Sequence, residues 1–178
     1  MPRLSLFLAI LIALLAGPAL GNDQKTLERA WRDAIDSFET ALPALGGNAW
    51  DVEVSAYRDA LTLQRFTARH WGQKVQLATE IRAKATGSCG RYAAFVRLPP
   101  EQGKLTMVFC PQFFLPGADD LRSLTILHEM VHVVAGSNEC RAMAFAASIE
   151  AAAKGRHTPV EAYWRANGCE QSGFRLPD

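Results

Sequence analysis

Leu124-Thr125-Ile126-Leu127-His128-Glu129-Met130-Val131-His132-Val133-Val134-Ala135-Gly136-Ser137-Asn138-Glu139 is the stretch on which both fold and chemistry turn. Apolar residues surround the two histidines on both sides, and Asp119 or Asp120 can cap the start of a helix that stops at Gly136. Inside such a helix His128 and His132 lie one turn apart, so both imidazoles leave the same face and can converge on one ion. Zinc suits this donor set, because it accepts neutral imidazole nitrogen in a tetrahedral shell. Glu129 follows the first histidine, so its carboxylate falls beside the ion rather than on it. There it can take a proton from water activated by the metal and return it to a leaving amine. The chain has only four histidines and spends two of them here.

A catalytic zinc site needs a third protein ligand and one open position. Glu139 is the first candidate, since the Gly136-Ser137-Asn138 turn can swing its carboxylate back toward the imidazoles. Glu150 is the rival, three helical turns further along roughly the same face. An acid in a first helical turn also has a capping role open to it. His70 and His157 are weaker candidates, read as surface or partly buried side chains.

Upstream, Leu27, Trp31, Ile35, Phe38 and Leu42 recur at helical spacing, which predicts a helix ending before Pro43. From Tyr57 to Ala85 the pattern reads as mostly helical, broken at Trp71-Gly72, with Gln73 to Ala85 a separate helix that turns Val75, Leu77 and Ile81 inward. Tyr92 to Val96 and Leu105 to Phe109 read as two strands of a hairpin, separated by Pro99, Pro100 and Gly103. Glu139 to Lys154 is an Ala-rich helix capped by Ser137 or Asn138. A short helix containing Tyr163 and Trp164 follows Pro159. The expected class is α+β, mostly helical, with a small sheet beside the histidine helix.

Residues 1–21 read as a signal peptide. Arg3 is followed by the apolar run Leu4 to Leu15, and small residues Ala19 and Gly21 mark cleavage after Gly21. A single domain over residues 22–178 is expected, secreted or periplasmic, with no membrane association after cleavage. The 178 residues carry a net charge of +1 and no run of like charge. A nucleic-acid partner is therefore excluded, because phosphate binding needs a concentrated basic face. Oligomeric state is not legible. Export makes Cys89, Cys110, Cys140 and Cys169 an expected pair of disulfides rather than metal thiolates. Three pairings are open, although Cys89 and Cys110 bracket the open end of the hairpin.

The segments Thr86-Gly87-Ser88-Cys89, Tyr92-Ala93-Ala94-Phe95-Val96 and Val108-Phe109-Cys110-Pro111-Gln112-Phe113-Phe114-Leu115-Pro116, leading into Leu127-His128-Glu129, resemble the deuterolysin-like metallopeptidases. These are the aspzincins, which include lysine-specific endopeptidases. The resemblance spans about Trp71 to Cys169. It implies a zincin-like fold, one Zn2+ per chain, a polypeptide substrate, and the pairings Cys89–Cys110 and Cys140–Cys169. It also implies that Gly136-Ser137-Asn138-Glu139 stands for the family's Gly-Thr-x-Asp element, with Glu in place of the ligand Asp on a shorter loop.

Two features depart from that family. Ala142 stands where the family has an oxyanion-stabilising Tyr, which leaves Tyr163 and Arg141 as candidate donors. The family's large pro-segment has no counterpart in residues 1–21, so control by its removal is not expected. Pro159-Val160-Glu161-Ala162-Tyr163-Trp164 resembles a family segment at the substrate pocket, which implies that Glu161 favours a basic substrate side chain. The expected activity is therefore a secreted zinc metallopeptidase. Two other readings use the same residues: a zinc-binding pseudo-peptidase acting as a binding module, and a zinc amidase acting on cell-wall peptides.

Overall fold

The computed structural model describes residues 17–178, and the expected leader lies mostly outside them. Helix α1 (Gly17–Leu45) packs Leu27, Ala30, Ala34, Phe38 and Ala41 inward. It runs past Pro43, whose ring removes the N–H donor to the carbonyl four residues back, and the helix ends two residues later. A two-stranded ribbon follows, β1 (Asn48–Ala49) with β2 (Val52–Glu53), and then helix α2 (Val54–Leu63).

The expected helix over Gln73 to Ala85 is absent. Strand β3 (Arg65–Ala68) turns back through Gly72 into strand β4 (Gln73–Ile81), and the two pair antiparallel. Val75 and Leu77 are buried while Lys74 and Gln76 face solvent, a period of two along the strand. Helix-forming Gln, Lys, Leu, Ala and Glu occupy much of this segment, but pairing on both edges overrides their local preference.

Strand β5 (Ala94–Glu101) and strand β6 (Lys104–Phe109) form the expected hairpin, turning through Gln102 and Gly103, both at positive φ. The sheet order is β3-β4-β6-β5, with β4 and β6 parallel and β5 on an edge. β5 runs through Pro99 and Pro100, and prolines are tolerated on an edge strand.

Helix α3 (Asp119–Ala135) carries the two histidines between the sheet and helix α4 (Glu139–Lys154). From Arg122 to Ala135 only Thr125 is not buried, as expected for a helix with neighbours on all sides. Four alanines of α4, at 142, 144, 146 and 147, are fully buried and let the helices approach closely. Short helix α5 (Glu161–Ala166) closes one side. Cys89–Cys110 ties the hairpin's open end, and Cys140–Cys169 ties the start of α4 to the chain beyond α5. Among the described residues no helix is long and apolar enough to cross a membrane.

Candidate metal centre

Side chains from other elements hold α3 in place. The buried Tyr57 hydroxyl of α2 donates to the carbonyl of Leu127 at 2.8 Å, directly before the first histidine. Arg122 donates to the carbonyls of Phe113 and Leu115 and pairs with Asp119. No side chain caps α3, so the Asp119 expected there serves as an ion partner instead.

The last carbonyls of a helix have no partner within it. Here Gly136 N–H donates to His132, Trp71 Nε1 donates to Val133 at 2.6 Å, and Arg141 Nη1 donates to Ala135 at 3.0 Å. Gly136 then reverses the chain at φ 82°, ψ −168°, a region essentially restricted to glycine. A Cβ there would also lie 2.6 Å from the His70 ring. Asn138 caps α4, its side chain accepting from Arg141 N–H at 2.9 Å.

This turn delivers Glu139 to the histidines. Its Oε2 lies 3.0 Å from His128 Nε2 and 3.4 Å from His132 Nε2, and the two Nε2 atoms are 3.1 Å apart. His132 Nδ1 lies 2.9 Å from the Gly136 carbonyl. A carbonyl only accepts, so Nδ1 carries a proton, and Nε2 is the nitrogen that can turn a lone pair to an ion once the proton it shares with Glu139 is displaced. Around a tetrahedral ion with bonds of about 2.0–2.1 Å, neighbouring donors stand roughly 3.3–3.4 Å apart. The triangle matches that spacing to within a few tenths of an ångström, and the three residues can hold a metal ion.

Without an ion, hydrogen bonds among these side chains set their electrostatics. Burial lowers the pKa of His128. His132 is also buried, but its hydrogen bond to Glu139 and the charges of Glu129 and Glu139 outweigh burial and raise it. Burial works to raise Glu139 as well. Hydrogen bonds from both histidines and Tyr163 overcome it, so the carboxyl is held well below the usual range. Glu129 is buried without such donors and is pushed up to about 8; His132 and the backbone amide of Val96 on β5 work against that rise, while Glu139 adds to it.

Tyr163 of α5 donates its hydroxyl to Glu139 Oε2 at 2.5 Å. Burial, and then Glu139, raise its pKa, so it remains a protonated donor. No known protein-family model, curated protein or solved structure matches this chain. The site therefore has to be read from its own geometry.

Two cavities meet at the centre. One of about 390 Å³ has His128 and Glu129 in its wall, and the other, about 270 Å³, has Glu129, His132 and Glu139. Tyr92, Ala94, Glu129 and Tyr163 line both, so together the cavities form one cleft across the site. The second cavity follows β5, through Phe95, Val96 and Leu98.

The structure does not bring every candidate here. Glu150 is buried elsewhere, bonded to Lys154 Nζ at 3.0 Å and Thr158 N–H at 2.9 Å. Arg141 is turned toward Ala135, Asp51 and the Phe174 ring. Glu161 is exposed and lines neither cavity. His157 bonds the Thr158 carbonyl, and His70 packs beneath Gly136. Sequence reasoning missed Tyr92, the clamp made by His70 and Trp71, and the Gly136 carbonyl behind His132. Only the fold brings these beside the histidines.

Proposed function

We propose that this chain is an exported zinc metallopeptidase of the deuterolysin-like zincin class, cleaving peptide bonds in the cleft that crosses α3. The observation that carries the proposal is the triangle of His128 Nε2, His132 Nε2 and Glu139 Oε2, with buried Glu129 beside it and open space in front. Two imidazoles and one carboxylate at this spacing suit zinc, with a fourth position left to the cleft. Zinc bound there would act as a Lewis acid toward the substrate carbonyl and lower the pKa of water to roughly 7.

The chain's own residues supply the rest. Glu129 lines both cavities, so it can accept a proton from the attacking water and pass it to the departing amine. Burial raises its pKa, and the charge of a bound zinc would lower it again toward the range in which it accepts a proton. Tyr163 stands at the cleft with a hydroxyl that stays protonated; it donates to Glu139 Oε2, and by leaving that oxygen it can turn its one proton to the oxygen that gains charge. It supplies the phenol that Ala142 does not, which weighs against the pseudo-peptidase reading. Strand β5 offers its free edge along the cleft, a surface on which an extended peptide can add as a strand. Two disulfides and the apolar start of the chain support export.

The test is metal content and peptide hydrolysis for the wild type and Glu129→Gln. The wild type is expected to bind one zinc and to cleave extended polypeptides. Glu129→Gln should keep the zinc and lose turnover by about 10²–10⁴-fold. A wild-type protein without stoichiometric metal would sink the proposal. Zinc without hydrolysis would put a binding module in its place, and cleavage of cell-wall fragments alone would make it an amidase.

A further inference from the structure

The 390 Å³ arm of the cleft differs in character from the arm along β5, and the difference bears on what is cut. Leu124 and Met143 form its floor, Val160 and Ala162 one side, and Leu121 its mouth. Among the described residues six large hydrophobic side chains are exposed, and three of them, Tyr92, Leu121 and Tyr163, converge on this cavity. Scattered exposed apolar residues need no explanation, but a concentration of them around a concave site does. The volume lies near the lower end of ligand pockets, room for one large side chain with its flanking backbone.

Charge is nearly absent from the lining. Apart from His128 and Glu129 of the centre itself, the only charged side chain is Arg91, exposed and stacked over the Tyr92 ring at 5.6 Å. A lysine side chain entering here would meet Arg91 and find no carboxylate except Glu129. Glu161, which the family resemblance puts at the pocket, points into neither arm.

We infer that this arm is a subsite for a large apolar side chain, of the size of Phe, Leu or Met, next to the bond that is cut. The inference rests on the proposed peptidase reading for its meaning, although the cavity's preference can be measured without any turnover. Burying such a side chain should favour apolar over basic occupants by about 10- to 100-fold.

The experiment titrates the protein with N-acetyl-phenylalanine amide, N-acetyl-lysine amide and N-acetyl-glutamate amide, followed by NMR chemical-shift changes. The phenylalanine amide should bind at least about 10-fold more tightly than either charged one. Two substitutions at exposed positions, Ala162→Trp to fill the cavity and Leu121→Glu to charge its mouth, should each abolish the preference without changing metal content. Equal or tighter binding of the lysine or glutamate amide would overturn the inference, as would a preference that survives both substitutions. A mixed peptide library then separates the two proposals. Cleavage enriched beside Phe, Leu and Met supports both, and cleavage enriched beside Lys or Glu overturns the subsite. Apolar binding with no cleavage of any peptide leaves the subsite standing and removes the peptidase.

Discussion

The two ends of helix α4 carry the same residue type in opposite circumstances. Glu150, near the end, is 1% exposed, and both its oxygens accept from donors already in place, the Lys154 ammonium and the Thr158 N–H. Glu139, at the start, is 43% exposed and faces two imidazole nitrogens that stand 3.1 Å apart. A carboxylate met by donors is satisfied and holds the chain together. Glu139 is also met by donors, but two of them are imidazoles, which can give up the shared proton and turn a lone pair to a cation. Burial and residue type do not make a ligand; a neighbour that can itself ligate does, and an ammonium or an amide N–H cannot.

Glu139→Ala is the most direct attempt to break this contrast. Zinc affinity should fall by more than the roughly 10–100-fold typical of an outer-sphere partner, with the far-ultraviolet circular dichroism unchanged. Equilibrium dialysis against a competing chelator measures it, and wild-type affinity in the variant would assign the third ligand elsewhere. Glu150→Ala reverses the pattern. It should cost about 1–3 kcal/mol in urea denaturation, because the Thr158 N–H loses its buried acceptor, and it should keep one zinc per chain. Loss of zinc from a Glu150→Ala protein that still folds would move the ligand to the wrong end of the helix.

Glu80 sharpens the comparison at its weak end. This carboxylate lies on β4 and is also met by donors, Arg82 Nε at 2.8 Å and Arg97 Nη2 at 2.7 Å, but in solvent. The Arg82 hydrogen bond, aided by the charges of both arginines, lowers its pKa. A carboxyl with a lowered folded-state pKa adds stability above its unfolded pKa, and that contribution is lost as pH falls through the folded value. Glu80→Gln should therefore cost less than about 1 kcal/mol at pH 7, after solvent screening. The difference from wild type should shrink as acid carries the pH below that folded value. An undiminished difference there would show that the contribution is packing rather than charge.

Much of the centre was legible in the chain itself. His128, Glu129 and His132 sit within five consecutive residues of one helix, and helical periodicity alone puts the two rings on one face. Gly136 announces the end of that helix, and Asn138 announces the start of the next. Glu139 was the first candidate on the same local logic, since a short turn can send the chain back over the helix it has left, but Glu150 stayed open beside it. The hairpin of β5 and β6 was equally local, marked by Gly103, although Pro99 and Pro100, expected between the strands, fall inside β5.

The segment from Arg65 to Ile81 was not legible in that way. Its composition favours a helix, and its strands exist because β6, more than twenty residues further on, supplies a parallel edge for β4. Parallel pairing leaves no turn signature beside the strand that it recruits. The same holds for the outer parts of the site. Trp71 and His70 grip the end of α3, and Tyr163 reaches Glu139 from 24 residues beyond it, through contacts no local pattern encodes. The sequence by itself determined the two imidazoles and Glu129, the helix that presents them and the turn behind it, since each depends on residues within one or two helical turns. Tertiary structure alone decided which glutamate faces the imidazoles, which phenol stands in the cleft, and that the arm beside His128 is apolar. Those depend on which distant surfaces pack together.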